Sequence, residues 1–113
     1  EIMANLSFDF NKVKRTFFNV TLKDGRKLQV KMPMKKTFEK VAEMQNFTED
    51  AEGVSIDDVM DTIGGLCAEC ISHNLNGEKV TAQYMTENYD IEEMQAFINQ
   101  YYTFVGGITQ NPN

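Results

Sequence analysis

Cys67-Ala68-Glu69-Cys70, followed three residues later by His73, combines metal-ligating side chains with the spacing of a dithiol. A zinc ion needs about four nitrogen or sulfur ligands, so one C-x-x-C pair falls short unless His73 and an acid such as Glu69 complete it. A redox C-x-x-C sits at a helix N-terminus after a strand, where the dipole lowers the thiol pKa. Here the pair lies deep inside a helical pattern, on its apolar face, where free cysteine behaves as a small hydrophobe. Core packing is the favoured reading, and loss of folding on adding a chelator would reverse it. His73, the only histidine, falls at the predicted helix end, where an imidazolium suits the dipole, and no nucleophile and base are paired around it. Asp57-Asp58 and Glu92-Glu93 fall at predicted helix starts, where acids are expected. No D-x-D-x-D-G calcium loop occurs, and Gly64-Gly65 and Gly106-Gly107 lack the flanks of a phosphate loop. The residues offer no catalytic set, no metal site and no cofactor site.

The element that must position Cys67, Cys70 and His73 runs from Ser55 to His73. Ile56, Val59, Met60, Ile63, Leu66, Cys67, Cys70 and Ile71 recur at the spacing of one buried helix face. Ser55 can cap the first turn, and Asp57, Asp58 and Asp61 suit its positive end. This predicts the central core helix. Gly64-Gly65 within it costs about 1 kcal/mol per glycine relative to alanine, a conflict that close approach of another helix, or a kink, would explain.

A chain of 113 residues with 42% apolar and 25% charged residues fits one folded domain. No apolar run approaches the roughly 20 residues of a membrane span, and no signal-peptide pattern opens the chain, which predicts a cytoplasmic protein. Glu1-Ile2 ahead of Met3-Ala4 reads as a remnant before a native start, so the domain is taken as 3–113, with 108–113 as a flexible tail. Net charge is -6 and unevenly spread: residues 11–40 hold ten of the eleven Lys and Arg, while 41–113 hold Lys79 against thirteen acids. Such a basic front and acidic back either attract each other within one molecule or favour contact between copies.

Leu6, Phe8 and Phe10 alternate with Ser7 and Asp9, which predicts a short strand or extended arm over 3–14. Phe18, Val20 and Leu22, then Lys23-Asp24-Gly25-Arg26, then Leu28, Val30 and Met32 predict a β-hairpin, since Asp-Gly between alternating runs marks a hairpin turn. Pro33 closes the second strand. Met34, Phe38, Val41, Ala42 and Gln45 share a helical face, with Thr37 as N-cap if that helix starts late. A polar connection over 46–53, with Phe47 as its one anchor, leads to the core helix, which Asn74-Leu75-Asn76-Gly77 stops with residues that accept the left-handed conformation. Thr81 can cap a short helix over 79–88. Asp90 and Glu93 form a capping box for a last helix burying Ile91, Met94, Phe97, Ile98, Tyr101 and Val105, ended by Gly106-Gly107. The fold class is α+β: an N-terminal hairpin, with a third short strand as an option, followed by three to four helices packed on it.

Two surfaces remain as binding candidates. Arg15, Lys23, Arg26, Lys27 and Lys31 with Phe17 and Phe18 imitate a nucleic-acid surface, but phenylalanines at alternating strand positions fit a core, and the acidic remainder repels phosphate. Phe97, Ile98, Tyr101, Tyr102, Phe104 and Val105 run nearly all round the last helix, wider than one buried stripe requires. Either both faces are covered within the domain, with Tyr102 and Phe104 folding over the hairpin, or one face docks another chain.

The Lys23-Asp24-Gly25-Arg26 hairpin, the Met32-Pro33-Met34 step into a helix, the acidic helices and the closing Met94-Gln95-Ala96-Phe97-Ile98-Asn99-Gln100-Tyr101-Tyr102 with a short polar tail resemble the tail assembly chaperones of long-tailed phages and prophages of Gram-positive bacteria. That resemblance spans nearly the whole chain from Met3. It implies a non-enzymatic protein of the host cytoplasm that binds the long helical tape measure protein, keeps it soluble and helps tail tube subunits gather on it, with no catalytic residues. It also implies that a longer, frameshifted form can exist. On this reading the last helix and part of the core helix bind the client, and the basic hairpin meets an acidic helix of a second copy in a homo-oligomer. The competing reading is a small metal-binding regulator built on Cys67, Cys70 and His73, or a nucleic-acid-binding one built on the hairpin.

Overall fold

Alternating apolar residues and one glycine turn set the hairpin. In a computed structural model, which describes residues 6–45 and 55–110, β1 (Phe18–Thr21) and β2 (Lys27–Val30) run antiparallel, Phe18 opposite Val30 and Val20 opposite Leu28. Lys23-Asp24-Gly25 is a three-residue loop: the Gly25 amide donates to the Leu22 carbonyl at 2.9 Å and the Leu22 amide to that of Arg26 at 2.8 Å. Gly25 takes φ +96°, the left-handed value that closes such a loop and that a side chain rarely tolerates.

Four helices follow among the described residues: α1 (Lys35–Gln45), α2 (Ile56–Ser72), α3 (Ala82–Asn88) and α4 (Ile91–Gln110). The class is α+β. α2 is the centre, packing against α1, α3, α4 and β2. Ile63, Cys67 and Cys70 on its inner face are wholly buried, while Ile56, at the first position, is 63% exposed. The three caps form as their residues dictate: Ser55 accepts from the Asp58 amide and Thr81 from that of Tyr84. Asp90 and Glu93 bond each other's amides at 2.8 Å.

Close approach explains one of the two α2 glycines. A Cβ on Gly64 would sit 2.6 Å from Cγ2 of Thr86 on α3, a β-branched side chain with little freedom to yield, whereas one on Gly65 would meet nothing within 4 Å. Gly64 lets α3 lie against α2.

Several expectations are corrected. No third strand forms among the described residues; the turn after α2 takes its place on the outer edge of β2, with the Lys31 amide donating to the His73 carbonyl and the Leu75 amide to that of Gln29. No left-handed residue stops α2: it ends at Ser72 with His73 at φ -88°, no described non-glycine residue has a positive φ, and Gly77, at φ +72°, turns the chain only further on. Instead the buried side chain of Asn74 knots the turn, donating to the carbonyls of Ile71 and Glu78 and accepting from the amides of Asn76 and Glu78. α1 begins at Lys35, so Thr37 lies inside it. α4 runs through Gly106-Gly107 to Gln110, where a tail was expected from 108, because neither glycine turns left-handed and buried Val105 still anchors the helix. The arm is no strand: Leu6–Asp9 has no regular structure and Phe10–Lys12 is one turn of 3-10 helix capped by Asp9. The connection at 46–53, with Phe47, lies outside the described residues, as do 3–5 and 111–113.

Candidate functional site

The thiols occupy the core. Cys67 donates a long bond, 3.6 Å, to the Met94 carbonyl, and burial pushes both thiols up, Cys70 to about 12. Neither is a nucleophile at neutral pH. Among the described residues no three His, Cys, Asp or Glu side chains are grouped to hold a metal ion.

Cys70 and His73 both line a pocket of about 110 Å³, together with Pro33, Met34, Thr37, Glu69 and Tyr101, with Cys70 itself buried. The Glu69 carboxylate there accepts from the Thr37 hydroxyl and, at 3.1 Å, from Lys40 Nζ, bonds that hold it below the usual carboxylate range. Tyr101 closes the floor by donating its hydroxyl to the Lys31 carbonyl at 2.6 Å, and burial raises its pKa. A pocket this small is well below the roughly 300 Å³ of small-molecule sites. It is the size of one inserted side chain.

Beside it, α1 and α4 expose an apolar strip. Met34, which also lines the pocket, is 70% exposed, and Tyr102, at 36%, stacks on Phe38 with ring centroids 5.8 Å apart and planes 6° from parallel. Lys35, Lys36 and Lys40 are exposed on α1, and Lys40 reaches Glu69. Tyr102 therefore lies over α1; of the two residues that could fold over the hairpin, only Phe104 does so. The other aromatics of α4 divide differently. Ile98, Tyr101 and Val105 are buried in the core and closed to a partner, while Phe97 and Phe104 are half-buried against Phe18, at centroid distances of 5.9 and 5.2 Å.

The hairpin cations are used at home. Lys23 bonds Glu93 at 2.8 Å and the Asn88 carbonyl at 2.9 Å, and lies over the Tyr89 ring. Arg26 pairs with Asp24 at 2.9 Å and with Glu78 at 3.1 Å, and the Tyr84 hydroxyl donates to Asp24. The Arg26 bonds bring the Asp24 carboxyl down to about 2. Basic front and acidic back thus meet within the monomer here, where contact with a second copy was expected of Lys23 and Arg26. Arg15 and Lys27 are exposed and Lys31 half-exposed.

What sequence reasoning missed is the exposure of the arm. Leu6, Phe8 and Phe10 are 84%, 71% and 78% exposed, and Val13 is 42% exposed. Their alternation was the available signal, and it pointed to a short strand or an extended arm without saying that the apolar side chains would be left in solvent. No helix among the described residues is long and apolar enough to cross a membrane. No protein-family model, curated protein or solved structure matches this chain.

Proposed function

We propose that this chain is a non-enzymatic tail assembly chaperone of the host cytoplasm that binds the tape measure protein and helps tail tube subunits gather on it. The observation that carries the reading is the strip on α1 and α4: Met34, Phe38 and the stacked Tyr102 beside a pocket sized for one side chain. An amphipathic client helix would lay its apolar stripe along the strip and insert one residue into the pocket, the helix-in-groove mode. Lys35, Lys36 and Lys40 would meet acids flanking that stripe. This moves the client site from the whole of the last helix to Tyr102 and its α1 neighbours. Protonated thiols and a carboxylate already bonded by Thr37 and Lys40 suit a docking wall better than a reaction centre.

The test is co-expression with the tape measure protein. A soluble complex should form, and Met34→Ser with Tyr102→Ala should lower recovery of the client about tenfold or more while the domain keeps its circular dichroism. A tape measure protein equally soluble without this chain would overturn the reading. Salt-sensitive binding to DNA instead would favour a nucleic-acid regulator.

A further inference from the structure

The hairpin has one finished edge and one unfinished edge. β2 is bonded to β1 on one side and to the 73–76 turn on the other, and its inward residues Leu28 and Val30 are 2% and 0% exposed. Among the described residues nothing pairs with the outer edge of β1, and its inward residues Phe18 and Val20 are only half-buried. Phe97 and Phe104, also half-buried, pack on Phe18. A free sheet edge beside a partly open apolar row is a template for one more strand.

The same chain carries a strand's sequence without a strand's partner. Leu6, Phe8 and Phe10 alternate with Ser7 and Asp9 over a stretch as long as β1, yet their side chains face solvent. The arm is locally ordered: Asp9 accepts from the Asn11 amide at 2.9 Å, and the Phe8 and Phe10 rings meet edge to face at 4.9 Å. Residues 13–17, without regular structure, set the arm off from β1 by up to about 17 Å of chain.

We propose that the arm of one copy pairs with the β1 edge of a second copy, laying Leu6 and Phe8 over Phe18, Phe97 and Phe104, and that reciprocal exchange makes a dimer. The area supports this occupant. Covering Leu6, Phe8 and Phe10, which share one face of a strand, removes on the order of 400–500 Å² of apolar surface per arm. Two arms and the two surfaces that receive them come to about 1,600–2,000 Å², the size of a standard stable interface. This inference is independent of the client and of the α1–α4 strip.

The experiment uses the full chain alone. Sedimentation velocity and light scattering should show a concentration-dependent dimer, and Phe8→Ser with Phe10→Ser should weaken it by about 100-fold or more, with the circular dichroism of the body unchanged. A Ser7→Cys chain mixed with a separately tagged Asn19→Cys chain should form an intermolecular disulfide under copper-phenanthroline and air, both substitutions being at exposed positions. If Asn19→Cys disturbs the hairpin, Thr21→Cys, the next outward position, replaces it. A wild-type chain that stays monomeric near 1 mM would overturn the proposal, as would a dimer indifferent to the arm variant. So would a disulfide that forms only within one Ser7→Cys/Asn19→Cys chain, which would place the arm on its own β1.

Discussion

β2 and β1 carry nearly the same alternating pattern and end in different environments. The outer edge of β2 is bonded by the turn that follows α2, a segment more than forty residues away in sequence, while the outer edge of β1 receives nothing from the described residues of its own chain. The difference arises in the turn. Asn74, 7% exposed and bridged to Val30, satisfies four backbone groups with one amide side chain and so holds the 73–76 segment flat against β2. A closed edge needs a partner segment that is itself held, and β1 has none among the described residues. The same contrast separates function: the closed side encloses the thiols and Tyr101, and the open sides, β1 and the α1–α4 strip, carry the unfilled apolar surface.

The closed edge should break most severely at its knot. Asn74→Ala leaves buried carbonyls and amides without partners, at about 1–3 kcal/mol each when water cannot reach them. The expected loss is about 3 kcal/mol or more in urea unfolding, with earlier amide exchange at Lys31, which donates to the turn, and at Leu75, which donates from the turn to Gln29. Stability within 1 kcal/mol of wild type would show that β2 is held by side-chain packing, without the turn.

A milder comparison pits the strands against each other at matched chemistry. Val30→Ala empties a site that is 0% exposed and should cost about 2–3 kcal/mol. Val20→Ala, at a half-buried position, should cost about 1 kcal/mol or less in dilute, monomeric protein. Equal costs would erase the distinction between the two edges. In dimeric protein the gap should narrow, because arm exchange would bury Val20 more deeply.

Much of the fold could be read from local signals: the Asp24-Gly25 turn, the period-two runs beside it, the Ser55 and Thr81 caps and the Asp90–Glu93 box all act within a few residues. What was not legible depended on contacts distant in sequence. Asn74 looked like a residue suited to the left-handed conformation, and only the approach of β2 makes it a knot. Gly106-Gly107 looked like a stop, but a glycine ends a helix only when it turns left-handed, and burial of Val105 keeps the last turn in place. The all-round apolar character of α4 was visible, whereas its division among core, hairpin and α1 required the rings of Phe18 and Phe38 to be in place. The cysteine pair kept its sequence reading because burial inside a helix is a periodicity argument, and α2 obeys the period.

The smallest expected effect concerns the loop where the two strands join. Asp24 titrates at 3.8 in an ordinary environment and is brought down to about 2 by its Arg26 bonds, so the folded state favours the charged carboxylate. A depressed pKa contributes stability above the unfolded value and loses it as pH falls through the folded value. The advantage of wild type over Asp24→Asn in urea midpoint should therefore be full above about pH 4 and vanish towards pH 2. Asp24 lies at the surface, so salt should reduce that advantage as well. Glu93, lowered by its bond from Lys23 and by the Asp90 amide, leaves the variant with an acid limb of its own, and only the difference between the two proteins reports the loop. A difference that is the same at pH 2 and pH 5 would mean that Asp24 acts through the shape of the turn, as an acceptor from the Arg26 amide, and that charge has no part in closing the hairpin.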